Sequence, residues 1–176
     1  MAANATTNPA PRSRSKLVAA AIWALVTAAV VVADQLSKTF AITQLSDGPA
    51  EAPGPFWFRL VANRGALMGL PLPSWFLLAG TVVVLTMALS AFTNNAPRHT
   101  IVGWGLIVGG ATGNLADRFQ HRPRFPDHAV VDWVASTSLP TFNLADVAIV
   151  AGLALVMLTT GASTPSLSTP KQRVLT

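Results

Sequence analysis

The sequence predicts an all-α membrane protein built on four transmembrane helices. Three observations carry this. Of the 176 residues, 51% are apolar and only 11% charged, against about 25% charged in an ordinary soluble domain. Four apolar stretches recur along the chain, each near the roughly 20 residues that cross a bilayer as a helix. All seven acids fall on one side of the resulting topology or at its boundary.

Residues 17–33 carry no charge and follow the basic run "RSRSK". That arrangement also suits a cleaved signal peptide ending on Val-Val-Ala, but three further spans favour an uncleaved first helix. Residues 75–92 are again uncharged, and residues 101–116 hold one polar intruder, Asn114. Residues 142–162 carry Asn143 and Asp146 near their start. The four spans form one unit over residues 16–162. Polar, Pro- and Ser-containing tails, 1–15 and 163–176, flank it and are expected to be disordered. "TNNAPRH" (residues 93–99) reads as a tight connector. Two longer insertions, 43–73 and 117–140, then share one side, and both tails share the other. Basic residues are tied. Arg12, Arg14, Lys16, Arg98, Lys171 and Arg173 stand on the tail side, and Lys38, Arg59, Arg64, Arg118, Arg122 and Arg124 on the insertion side. Discounting those that a site would use leans towards cytoplasmic tails in a bacterial inner membrane. Gly105, Gly109 and Gly113 form an i, i+4, i+8 stripe of the kind that lets membrane helices approach closely.

The absence of cysteine excludes disulfides, thiolate metal sites and a cysteine nucleophile. The net charge of +5 comes from scattered basic residues with no stripe between stacking aromatics. Nucleic acid is therefore not an expected partner; a phospholipid membrane is. His99, His121 and His128 lack ligand spacing, so neither a metal nor another cofactor is expected.

A short polar set remains at the insertion-side boundary. Asp34 and Lys38, in "ADQLSK", stand one turn apart and suit an ion pair. Asn63 and Gly65 lie in "VANRGALMG". Asn114, Asp117 and Arg118 lie in "GNLADR", on one helical face. Asp132 lies in "AVVDW", and Asn143 and Asp146 are three apart in "FNLAD". Each has an ordinary explanation: Asp34 and Lys38 as a boundary pair ending a helix, Asp117 and Arg118 as a structural pair. Asn143 suits a helix cap, with Asp146 favoured by the helix dipole. Asp132 suits a solvated surface acid, and Asp47, Glu51 and Asp127 suit loop acids. Together these readings leave unexplained why boundary polar residues gather at one level. A carboxylate pair sharing one proton offers a chemical reason, because one member takes a proton from water while the other donates to a leaving amine.

In order and spacing, "DQLSK", "NRGALMG", "GGATGNLADR", "VVDW" and "FNLAD" resemble the lipoprotein signal peptidases, or signal peptidase II family, over residues 17–160. These are four-helix bacterial membrane aspartic proteases. The resemblance implies a catalytic dyad at Asp132 and Asp146, with supporting or substrate-binding roles for Asn63, Gly65, Asn114, Arg118, Asn143, Asp34, Lys38 and Asp117. It implies a small extracytoplasmic β-sheet in the insertion between the first two helices, where "FWFRLVANR" alternates imperfectly. The implied substrate is a prolipoprotein with a diacylglyceryl-modified cysteine, cut just before that cysteine near the extracytoplasmic surface by a monomeric enzyme. Asp117 is a rival for the dyad. Asp132 is preferred because its neighbours are apolar, whereas an acid beside Arg118 is expected to be ionised and engaged. Met68 stands where phenylalanine is usual and Val147 where serine is common, and the 13 residues between Asp132 and Asp146 are few for the family. None of these departures removes a candidate catalytic atom.

Two other classes fit the composition. A proton- or ion-coupled carrier would use the same carboxylates, but nearer the middle of the spans. A membrane scaffold would use the polar residues only to pair helices. A different intramembrane aspartic protease would show a Gly-x-Gly-Asp signature, which is absent.

Overall fold

The computed structural model describes residues 11–51, 54–65, 74–93, 96–121, 125–126 and 128–160. Met68, Asp127 and the expected C-terminal tail lie outside them. Four helices, α1 (Pro11–Gln44), α2 (Ser74–Thr93), α3 (Arg98–Phe119) and α4 (Leu144–Thr160), alternate with three strands, β1 (Ala50–Glu51), β2 (Phe56–Asn63) and β3 (Val130–Ser136). The helices match the four apolar stretches, with α1 longer at both ends. It begins inside the expected N-terminal tail and continues beyond Asp34 and Lys38, so that pair does not end the helix.

Among the described residues, the Ser15–Gln44 part of α1 is the one helix long and apolar enough by itself to cross a membrane. Shorter apolar stretches occupy Ala79–Ala91 and Leu144–Leu158. Large apolar side chains point outward from three of the helices: Leu25 and Leu36 on α1, Val83 and Leu89 on α2, Val150 and Leu158 on α4. Soluble monomers seldom expose so much contiguous apolar surface; a bilayer accepts it.

Helix α3 is the central post, in its most extensive contacts with α4 and α1. Glycine permits both approaches. The stripe Gly105, Gly109 and Gly113 faces α1: a Cβ on Gly109 would stand 2.7 Å from Val30 Cβ and 3.0 Å from the Thr27 carbonyl oxygen. A second set faces α4, where a Cβ on Gly152 would stand 2.6 Å from the Gly103 carbonyl oxygen. Trp104, Ile107, Val108 and Ala88 form a small core between α3 and α2.

The sheet corrects the expectation in one respect. It is not confined to the insertion between α1 and α2. The order is β1-β2-β3, all antiparallel, and β3 comes from the segment between α3 and α4, expected as a loop over residues 117–140. Helix α3 also runs through Asp117 and Arg118 into that segment. The apolar run at Val130, Val131, Trp133 and Val134 finds its partners on β2, which turns a loop into a strand. The register slips by one between Phe58 and Val61. An extra residue on β2 changes the face it presents beyond that point, which is why its alternation reads poorly in sequence.

Helix contact at Gly109 leaves no room for a methyl group. Gly109→Ala is expected to lower stability by about 1–3 kcal/mol, the usual cost of overpacking, seen as a lower Tm in detergent. Gly80→Ala, where a Cβ meets nothing within 4 Å, should leave Tm unchanged or raise it.

Candidate active site

The site is assembled where α1, α3, the start of α4 and the β2–β3 pair meet. Its geometry starts from the first turn of α4. The Asn143 side-chain oxygen accepts from the Asp146 N–H at 3.1 Å, and Asp146 Oδ2 accepts from the Asn143 N–H at 3.3 Å. This reciprocal arrangement is a capping box. It satisfies two orphan N–H groups and sets the height and direction of the Asp146 carboxylate.

Asp132 arrives on β3. After β3 the chain reverses, with Ser136 Oγ accepting from the Leu139 N–H at 2.8 Å. Phe142 then returns to pair with Val134. That return brings Asn143 back beside Asp132, and Asn143 Nδ2 donates to Asp132 Oδ1 at 2.6 Å. From β2, Asn63 lies diagonally across from Asp132, within cross-strand reach, and donates through Nδ2 to Asp132 Oδ2 at 2.8 Å. Asn63 Oδ1 accepts from the Gly65 N–H at 2.8 Å.

Asn114 joins the two halves. Its Nδ2 donates to Asp146 Oδ1 at 2.9 Å, and its Oδ1 accepts from Asn143 Nδ2 at 3.0 Å and from Lys38 Nζ at 2.9 Å. The amide orientation follows from Lys38, which can only donate. With the Asn114 oxygen drawn to the ammonium, its NH2 is left for Asp146.

Beneath lies a buried ionic layer. Lys38 Nζ stands 2.7 Å from Asp34 Oδ2 and 2.9 Å from Asp117 Oδ2, and all three side chains are fully buried. With Asn114, these acceptors occupy the three N–H donors of the ammonium. Asp34 Oδ1 accepts from the Ala145 N–H at 3.0 Å, which ties α1 to the first turn of α4. Asp117 Oδ2 accepts from the Val131 N–H at 3.1 Å, which ties α3 to β3.

Asp117 is therefore engaged, as expected, but its ion-pair partner is Lys38 rather than Arg118. Arg118 instead donates to two of the chain's own carbonyls, Asn114 O at 3.0 Å and Gly65 O at 2.5 Å. Gly65 is thereby clamped at both its N–H and its C=O. All ten residues singled out in the sequence converge in one network. Sequence reasoning misses Gln35: its Nε2 stands 3.2 Å from Asp34 Oδ2 and 3.1 Å from Asp117 Oδ1, bracing the two counter-ions. Its signal is present in "ADQLSK", as an amide beside an acid inside an apolar run.

Asp132 is 1% exposed, so it is not a solvated surface acid. Its carboxyl is pushed up to about 7. Burial is the largest cause and the nearby Asp146 carboxylate the second, offset by the amide donors of Asn63 and Asn143 and by the Lys38 charge. Among the described residues, no three His, Asp or Glu side chains gather in a way that could hold a metal ion. What the arrangement offers is two buried carboxylates, on a strand and on a helix start, joined through Asn143 and Asn114.

The signal peptidase (SPase) II family profile matches residues 26–161. The lipoprotein signal peptidase of Pelotomaculum thermopropionicum is 33% identical over 137 residues, covering 75% of this chain and 86% of the relative. That of Bifidobacterium longum (strain DJO10A) is 33% identical over 159 residues, covering 86% of this chain and 84% of the relative. Two solved structures, both described as a bacterial membrane enzyme determined by the in meso method, share the fold at 24% identity. Their TM-scores are 0.67 and 0.68, covering 81% and 86% of this chain and 94% of each structure. The chain belongs to the signal peptidase II family.

Removing Lys38 would leave Asp34 and Asp117 buried without a counter-ion. Lys38→Met is expected to cost about 3–5 kcal/mol, read as a large drop in Tm in detergent or as failure to accumulate in the membrane. A drop no larger than that of a surface substitution would contradict the account of this layer.

Proposed function

We propose that this chain is an aspartic endopeptidase that removes the signal peptide from diacylglyceryl-modified prolipoproteins by cutting just before the lipidated cysteine. Family membership supports the substrate class. The observation that carries the mechanism is the pair Asp132 and Asp146. Both are buried, each is held by amides from other elements, and the Asp146 charge helps keep a proton on Asp132.

In this reading four helices cross a bacterial inner membrane with both termini in the cytoplasm. The sheet and the dyad then lie at the extracytoplasmic surface. The outward apolar faces of α1, α2 and α4 support that placement.

The dyad shares one proton. Asp146 takes a proton from a water held between the carboxylates as that water attacks the scissile carbonyl. Asp132 gives its proton to the leaving amine nitrogen. The dyad then carries its proton on Asp146, and transfer back to Asp132 resets the site. Asn63, Asn143 and Asn114 hold the carboxylates in position, which conserves the entropy that loose side chains would lose at the transition state. Gly65, fixed by Asn63 and Arg118, presents a rigid backbone at the mouth of the site.

Asp132→Asn and Asp146→Asn, each made in the full chain, should lower cleavage of a lipidated precursor by at least about a thousandfold while protein level is retained. If Asp132→Asn still cleaves and Asp117→Asn does not, the dyad is misassigned. If the wild type shows no gel shift of the precursor under any lipid condition, the carrier reading gains instead.

The raised carboxyl of Asp132 sets the direction of the pH dependence. Its folded value lies above the ordinary carboxylate range. The protonated form is therefore kept at acid pH and lost as pH rises through about 7. Cleavage should accordingly fall on the alkaline side, by up to about tenfold per pH unit, with an apparent pKa that belongs to the pair. A rate that keeps rising from pH 7 to pH 9 would contradict the shared proton.

A further inference from the structure

A second site is carried by the other end of the helical bundle. A cavity of about 220 Å³ opens there between the start of α1 and the start of α3, lined by Ser15, Lys16, Ala19, Pro97, Arg98 and Ile101 among others. Two cations from different helices share this small space. Among the described residues neither forms an ion pair; both ion pairs found belong to Lys38. Asp34, the first acid along α1, is 18 residues beyond Lys16. At about 1.5 Å per residue that is roughly 27 Å away. Among the described residues, no ion pair offsets the charge in the cavity.

The location decides what can compensate it. Lys16 and Lys38 are 22 residues apart on one continuous helix. That is about 33 Å, close to the roughly 30 Å thickness of the hydrocarbon layer. With the dyad at one membrane surface, the cavity lies at the other, at headgroup depth. Basic pockets between helices at a membrane surface attract anionic headgroups. The volume equals the share of about seven water molecules in the liquid. It admits a phosphate with part of its glycerol, while Ala19 and Ile101 offer an apolar floor for the first carbons of an acyl chain.

We propose that the Lys16–Arg98 cavity binds a phosphate group, whether on an anionic phospholipid or as the free anion. The site rests on the membrane placement proposed above and is independent of the dyad. Bound there, a phosphate bridges α1 to α3, the two helices that carry Lys38 and Asn114 to the opposite surface.

The test uses the purified full chain in detergent, titrated with short-chain phosphatidylglycerol, short-chain phosphatidylcholine or inorganic phosphate, with bound ligand counted by native mass spectrometry. Wild type should prefer phosphatidylglycerol to phosphatidylcholine. The double variant K16Q/R98Q should bind it about tenfold more weakly or worse, and the charge-matched control R59Q/R64Q should bind as wild type. Competition by inorganic phosphate in the same concentration range would make the free anion the ligand of the same site; no competition makes it the headgroup. Equal binding by wild type and K16Q/R98Q, or no binding of either anion by wild type, overturns the proposal. Cleavage of a lipidated precursor is followed in parallel. Loss of anion binding with intact cleavage in K16Q/R98Q bears on this site alone, whereas wild type that binds the anion but never cleaves counts against the peptidase reading alone.

Discussion

The buried ammonium of Lys38 is the interaction on which the rest of this structure depends. A lone charge in a helical membrane bundle is expensive. Two carboxylates and an amide oxygen occupy its three donors, and each partner passes the constraint on. Asp34 goes on to hold the first turn of α4, Asp117 holds β3, and Asn114 holds Asp146. The two elements that carry Asp132 and Asp146, β3 and α4, are thus referred to one cation. The close approach that makes this possible comes from glycine: a Cβ on Gly113 would stand 2.5 Å from Asp34 Oδ2.

Asp146 and Asp132 are positioned by two different devices, one local and one not. A capping box fixes Asp146 through backbone groups that any helix start must satisfy. A strand pairing and a reversed chain fix Asp132. Asn143 belongs to both, because its oxygen caps α4 while its NH2 reaches Asp132 and Asn114. Capping of α4 and the positioning of the Asp132 carboxylate therefore share one side chain. The cap reading of Asn143 holds in the structure, and the same side chain holds the Asp132 carboxylate that the proposed mechanism uses.

Much of this is legible in the chain. The apolar runs mark the helices, whose outward faces remain apolar on α1, α2 and α4. The i, i+4 relation of Asp34 and Lys38 and the three-residue spacing of Asn143 and Asp146 are geometric facts of any helix. Less legible are the contacts between segments distant in sequence. The Lys38 bond to Asp117 spans nearly 80 positions, so it cannot be told from the adjacent Arg118 alternative by spacing. Adjacent residues point away from each other on a helix, which is why Arg118 turns to Gly65 and Asn114 while Asp117 turns to Lys38. Strand β3 reads as loop because seven residues need a partner to become a strand, and the partner's bulge hides its alternation.

By itself, then, the sequence determined the class of molecule, the number and place of its helices, and the roster of polar residues at one boundary. Composition and period express these locally. The tertiary structure alone decided which polar residues pair with which. It makes Asp117 a counter-ion of Lys38 and links Asp132 to Asp146 through Asn143 and Asn114. Those choices depend on register, on the glycine-permitted distance between helices and on the three-donor limit of one lysine. These are properties of elements packed together, and no single stretch of the chain contains them.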